Sequence, residues 1–447
     1  MTGFRAVRQP WLRRWQQRPA AQQAIFLLAI DAVTNAIDYG FHIYLARVLL
    51  PADFAAAQTI NTILLVVLTT SAVMQPVVAR YVAEATVSLD LPAHTDFAIF
   101  RYFFGRSSLL GLAGILLVLL FRQRLANWFN LPVTAVSLAA FMIFIATTRP
   151  VVAGMLQGQR RFGWFGGMRL SYAIGRFSVG LLFISALGLD LNGAIGAMPL
   201  GGMVSLLVGL LCLGGLVWRG GTARPERLNS VALVEGAVPQ KYRWSASTLT
   251  LNALVAYAAY MALLSLDLVW VNRTLAADEA ALYATAVLLR RVLLLLPGAV
   301  IVIMFPRAVA RVVAGESPDK LLLQTAVVVS LPTVVLTAVL ALFGAPLIGW
   351  TLGSAYVAAA PLLGWMGAAM LGVGITVIWL NFYLATRPLP FVMVLLGTAV
   401  TELILLQTVS LDLLTVTTIF GLGGWLPAIG GTLLYLFWLR PSLEQST

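Results

Sequence analysis

Apolar runs of about twenty residues recur along the whole chain, separated by short polar stretches. A run of that length crosses a hydrocarbon core of roughly 30 Å as an α-helix. The pattern predicts spans at about 25–46, 54–79, 97–121, 132–155, 165–187, 191–217, 248–271, 281–305, 321–343, 355–382, 389–410 and 416–439. The alternating ten-residue segments of a membrane β-barrel are absent. The expected fold class is an all-α polytopic membrane protein, with about 12 transmembrane helices in two six-helix lobes. The lobes are expected at 24–218 and 248–439, with a basic N-terminus at 1–23, a polar Pro- and Gly-containing linker at 219–247 and a tail at 440–447.

A faint repeat supports two halves. "ARVLLPADFAAAQT" (46–59) matches "NRTLAADEAALYAT" (272–285), Pro76 matches Pro306, and "LQGQR" (156–160) matches "YLATR" (383–387). The offsets are 226, 230 and 227 residues. Six spans per half make the repeat parallel, about an axis along the membrane normal, which is a transporter architecture.

The first span breaks the hydrophobic pattern. In "IDAVTNAIDYGFHIYLARVLL" (30–50), Asp31, Asn35, Asp38 and His42 recur every three or four residues and form one polar stripe on a helix. Arg169 and Arg176 share a face of span 5, and Arg290 and Arg291 sit near the middle of span 8. A lipid-facing arginine at mid-membrane costs about 2.5–3.5 kcal/mol, so the four together would cost about 10–14 kcal/mol. They must face protein or a watery cavity. Two readings stand. Asp31, Asp38, Asp267 and Glu402 neutralise the arginines as internal ion pairs, or Arg169, Arg176, Arg290 and Arg291 line a cationic cavity for an anionic substrate. The stripe residues Asp31, Asn35, Asp38 and His42 are either partners in such pairs or a site for a coupling ion, Na⁺ or H⁺. Asp267 lies near the end of span 7, where solvation accounts for it. Tyr172 reads as core or interface, and Arg106 as a residue that snorkels. The tryptophans at 128, 164, 218, 244, 270, 379, 425 and 438 read as interfacial anchors. Pro297, Pro332 and Pro361 are expected to interrupt spans 8, 9 and 10.

The charge balance then sets orientation. The chain has 29 Lys and Arg against 17 Asp and Glu, a formal +12. In a membrane protein this excess marks cytoplasmic loops rather than a nucleic-acid partner. With the N-terminus inside, nineteen basic residues fall on the cytoplasmic side, Arg149 among them. Only Arg47, Arg122, Arg124 and Arg273 fall outside. Both termini and the linker are therefore expected in the cytoplasm. If so, Ser230→Cys is labelled only after permeabilisation; labelling in intact cells would invert the topology. One cysteine, Cys212, excludes an internal disulfide. No cleavable signal, glycine-rich nucleotide loop or metal-ligand cluster is evident, so neither enzyme chemistry, a resident cofactor nor a metal is expected.

Four stretches carry a resemblance: "YLARVLLPADFAAAQTI", "QPVVARYVAEA", "GMLQGQRRFGWF" and "RRVLLLLPGAVIVIMFPRAVARVVAG". They are similar to the polysaccharide-transporter branch, the Wzx-like oligosaccharide flippases, of the multidrug/oligosaccharidyl-lipid/polysaccharide flippase superfamily. The family reads "LAR-LGP-DFG" where this chain has "LLPADFAAA", without the usual glycines. The resemblance spans essentially the whole chain. It implies a bacterial inner-membrane transporter that flips polyprenyl-pyrophosphate-linked oligosaccharide, for O-antigen, capsule or exopolysaccharide, by alternating access. Its partners would be that lipid-linked glycan, membrane lipids, and a polysaccharide polymerase or glycosyltransferases. Alternatives are a multidrug or cation antiporter of the same fold, and a non-transporting scaffold of a polysaccharide synthase.

Overall fold

The computed structural model describes residues 19–71, 74–87, 95–214, 240–294, 318–385 and 388–440. All twelve predicted spans fall on helix within these limits. In chain order the helices are α1 (Pro19–Val48), α2 (Pro51–Ser71), α3 (Met74–Val87), α4 (Thr95–Leu120) and the short α5 (Arg122–Phe129). Then come α6 (Val133–Gly158), α7 (Phe162–Leu181), α8 (Asp190–Cys212), α9 (Gln240–Leu263), α10 (Leu266–Thr274) and α11 (Ala277–Arg290). The last four are α12 (Asp319–Thr351), α13 (Ala360–Ala385), α14 (Pro388–Thr408) and α15 (Leu413–Leu434). Eight described helices are long and apolar enough to cross a membrane, and the bent pair α9–α10 is a ninth when counted as one span. The other predicted spans are the polar-striped α1, the arginine-bearing α7, and span 8, whose second half lies outside the described residues. Most of the linker and Pro297 and Pro306 lie there too.

Two boundaries differ from expectation. Helix α1 starts at Pro19 and α9 at Gln240, each several residues before the hydrophobic run. "PAAQQA" and "QKYRWSA" lack a breaker inside them, so the helix runs out of the apolar zone instead of ending with it. Pro332 sits inside the continuous α12, and Pro361 in the first turn of α13, where a missing N–H costs nothing. Neither interrupts its span.

The repeat is visible in the backbone. Helix α1 ends at Val48 and α2 begins at Pro51; α10 ends at Thr274 and α11 begins at Ala277, again 226 residues on. Both second helices carry acid in their first turn, Asp53 in α2 and Asp278 and Glu279 in α11, where the helix dipole favours it. Glu279 also accepts from the Ala276 N–H at 3.3 Å.

Helices α1 to α8 make one lobe, in which α6 packs against α2, α3, α4 and α8, and α7 against α1 and α8. The second lobe packs α13 on α12 and α15, and α9 on α14. The lobes meet mainly where α2 runs along α9, α10 and α11. Outward-facing leucines on α4 and α12, such as Leu116, Leu120, Leu331 and Leu342, give the bundle an apolar rim suited to lipid. Trp270 and Trp379 are buried, the latter donating to Thr432 Oγ1 at 3.0 Å, so these two are core residues and not interfacial anchors. Trp128, Trp164, Trp425 and Trp438 are exposed as expected.

The α7–α8 contact sets the position of Arg176. A Cβ on Gly201 would lie 2.6 Å from the Arg176 backbone nitrogen. Gly201→Ala must therefore push α8 away from α7. It is expected to cost about 1–3 kcal/mol through overpacking, read as a lower Tm; an unchanged Tm would show that the helices separate freely.

Candidate functional site

The polar stripe of α1 faces α7, and the two helices are joined by two ion pairs. Arg169 Nη1 lies 2.7 Å from Asp31 Oδ1, and Arg176 Nη1 donates to Asp38 Oδ1 at 2.9 Å. The pairs differ in solvation. The Arg169 and Asp31 side chains are 41% and 32% exposed, whereas Arg176 is 2% exposed against 38% for Asp38. The Arg176 guanidinium stacks on Phe41 at 4.7 Å, and its Nε and Nη2 have no hydrogen-bond partner among the described residues. Asn35 is half-buried between the two pairs. His42 is buried, and the Gln58 amide of α2 donates to its Nδ1 at 2.9 Å. Arg176, Asp38 and Arg291 are its charged neighbours, so the stripe leads from α7 to the other lobe.

The adjacent arginines of span 8 part company. Arg290 turns into the second lobe, 3% exposed, and meets Asp267, which is 0% exposed. Arg290 Nη1 bonds Asp267 Oδ2, its Nη2 reaches Asp267 Oδ1 at 3.1 Å and the Leu264 carbonyl at 3.0 Å, and the guanidinium stacks on Phe420 at 3.7 Å. Tyr283 donates to the same carboxylate at 2.8 Å. The expected solvation of Asp267 is thus overturned. Between α9 and α10 the chain bends by 42°, which frees the Leu264 carbonyl and points Asp267 inward. Glu402 lies near this pair, but neither of its carboxylate oxygens has a hydrogen-bond partner among the described residues. Arg290 is thus held in a buried ion pair inside the second lobe. Arg291 begins the 3₁₀ turn Arg291–Leu294, is half-buried, and donates from Nη2 to Thr62 Oγ1 of α2, across the lobe boundary. Among the described residues it has no carboxylate partner. Asp38 and Tyr39 of α1 are its electrostatic neighbours from the first lobe.

Arg149, counted among loop charges in the sequence, lies within α6. It sits nine residues before the end of α6, half-buried, with Nε donating to Ser205 Oγ at 3.1 Å and its guanidinium 4.9 Å over the Tyr172 ring. On its other side Tyr172 has Arg176 as an electrostatic neighbour. Tyr172 is thus a spacer between the half-buried Arg149 and the buried Arg176. Arg106 stays exposed, holding Tyr102 at 2.6 Å. Among the described residues no group of three His, Cys, Asp or Glu is placed to hold a metal.

The lobes are fastened at the end that the charge balance assigns outside. Arg47 of α1 donates to the Thr351 carbonyl at 2.7 Å and to the Trp350 carbonyl, at the end of α12. Its repeat mate Arg273 lies 4.6 Å over Trp128 of the first lobe and 5.0 Å over Trp270 of its own. Asn130 and Asn272 exchange bonds at 3.2 Å and 3.0 Å through the Asn272 and Phe129 carbonyls. Combined Arg47→Ala and Arg273→Ala is expected to open this end. Spin labels at Gln123→Cys and Gln407→Cys should then move apart; an unchanged distance distribution would show that the apolar contact alone keeps it shut.

No protein-family profile matches the sequence, and no curated protein matches it by sequence. Solved structures do. An inward-facing multidrug resistance MATE family transporter of the MOP superfamily aligns with a TM-score of 0.73 at 14% identity, covering 95% of this chain and 99% of that one. The outward-facing conformation of such a transporter gives 0.59 at 14% identity, over 94% and 97%. Lipid II flippase MurJ, in an inward closed conformation, gives 0.65 at 12% identity, over 92% and 87%. The chain therefore shares its two-lobed fold with these proteins.

Proposed function

We propose that the protein flips polyprenyl-pyrophosphate-linked oligosaccharide from the cytoplasmic to the outer leaflet by alternating access. One observation supports an anionic substrate above the others. Among the described residues, the ion-pair partners of the set Arg149, Arg169, Arg176 and Arg291 are two carboxylates, Asp31 on Arg169 and Asp38 on Arg176, while Arg149 and Arg291 bond neutral hydroxyls. A surplus of guanidinium suits a pyrophosphate, whose charge needs compensation when it leaves the interface. Arginine offers a permanent charge and a planar fork for phosphate oxygens. The polyprenyl tail stays in lipid, so only the head group enters. The latch at the outer end fits the start of a cycle that loads from the cytoplasm.

Asp38 and Asp31 serve this path as counter-charges. Released from Arg176 or Arg169 when substrate phosphate takes the guanidinium, either carboxylate becomes able to bind Na⁺ or H⁺, which couples transport to an ion gradient. The lobes at 24–218 and 248–439 move as units joined by the linker at 219–247, both ends remaining cytoplasmic. Polymerase or glycosyltransferases are partners on either side of the flipping step. The test in cells is deletion of the gene. It should remove surface glycan and leave lipid-linked oligosaccharide on the inner leaflet; intact glycan with lost efflux of cationic dyes would favour a multidrug antiporter.

A further inference from the structure

A cavity of about 310 Å³ lies within the first lobe, between α2, α3, α6 and α7. Arg149, Arg169 and Gln75 border it, against an apolar wall that includes Ala153, Phe165 and Met168. Arg149 is held there by two contacts that leave its terminal groups unused. Ser205 takes Nε, Tyr172 supports the ring face, and no described residue accepts from Nη1 or Nη2. Ser205 is itself fixed, donating to the Met168 carbonyl at 2.5 Å. Arg149 and Arg169 also repel each other across this space, and among the described residues the carboxylate paired with either is Asp31, on Arg169. Gln75 spends its amide N–H on Gln157 Oε1 at 2.9 Å and keeps its own carbonyl oxygen. Two cations facing one partly apolar cavity are stabilised by a bound anion, and the low local dielectric strengthens that attraction.

From this arrangement we infer that the cavity is an oxyanion site for a phosphate group, held by the forks of Arg149 and Arg169. The Gln75 carbonyl is placed to accept from a hydroxyl beside the phosphate. Its volume is at the lower end of small-molecule sites, enough for a diphosphate. The choice of phosphate rests on the flippase reading above; the presence of an anion site does not. Functionally it is a first station, at which the head group is captured inside one lobe before Arg291 of the other lobe joins it.

The test is titration of the purified full-length protein with inorganic pyrophosphate, and separately with glucuronate as a carboxylate probe. Pyrophosphate should bind saturably, and Arg149→Gln should weaken it by about tenfold or more, the loss expected for one charge-assisted contact. Arg149→Lys should recover part of that loss. Ala153→Leu, which fills the cavity without touching either arginine, should block binding and guards against misfolding of the Arg149 variants. Equal pyrophosphate affinity in wild type, Arg149→Gln and Ala153→Leu would overturn the site. Glucuronate bound in preference to pyrophosphate, and lost in Ala153→Leu, would overturn the phosphate assignment. Pyrophosphate binding at the site in a protein that moves no lipid-linked glycan would leave the site standing and sink the flippase reading.

Discussion

Arg291→Ala should reduce the initial rate of glycan flipping by about tenfold to a hundredfold while the folded yield stays close to wild type. The magnitude is that of one charge-assisted hydrogen bond to an oxyanion, ~1.5–3 kcal/mol. The stability side follows from the structure. Arg291 is only half-buried and its bond is to a neutral hydroxyl, Thr62 Oγ1, so its removal leaves no unpaired buried charge. Arg291→Lys should recover part of the rate, because the charge survives and the fork does not. Thr62→Val probes the same contact from the other lobe and should change rate far less. A flipping rate for Arg291→Ala within twofold of wild type would remove Arg291 from the path.

Its neighbour should behave in the opposite way. Arg290→Ala leaves Asp267 charged, fully buried and without its partner, a loss that costs about 3–5 kcal/mol. It also strands the Leu264 carbonyl at the bend between α9 and α10. The expected result is little folded protein in the membrane, whatever the substrate. Asp267→Asn leaves Arg290 as the buried charge without a counter-ion and should lower the yield too, although its amide oxygen can still accept from Tyr283. The paired variant Arg290→Met with Asp267→Leu should recover much of the yield, because replacing both buried charges by apolar groups removes the desolvation penalty. Full-yield Arg290→Ala with a selective transport defect would show that Arg290 serves substrate after all. The two adjacent arginines thus separate cleanly: one lost through stability, the other through rate.

The architecture was legible because lipid imposes one rule on every span, and span length and polarity follow from it. The repeat was legible from the short helix–break–helix around Arg47 and Arg273, which recurs at the same offset in the backbone. The polar stripe on α1 was legible as a shared face, and the structure sets its carboxylates against Arg169 and Arg176. What the sequence withheld depends on local bends and on partners far along the chain. The α9–α10 bend lies in "MALLSLDLVW", which contains neither Pro nor Gly, so nothing marked Asp267 as inward-facing. The roughly 100° between consecutive helix residues sends Arg290 and Arg291 into different lobes, an outcome fixed by what packs on each side. Arg149 had one available signal, its place six residues inside the predicted span 132–155, against the habit of counting every arginine near a span end as cytoplasmic. Trp270 and Trp379 illustrate the same limit: position near a span end does not reveal whether another helix covers it.

The most direct measurement is transbilayer movement of a lipid-linked oligosaccharide in liposomes that contain only this protein, followed by accessibility of the glycan to an added glycosidase. Wild-type protein should move the glycan between leaflets and Arg291→Ala should not. Static glycan with wild-type protein, alongside robust transport of cationic dyes in the same vesicles, would contradict the anionic-flippase function.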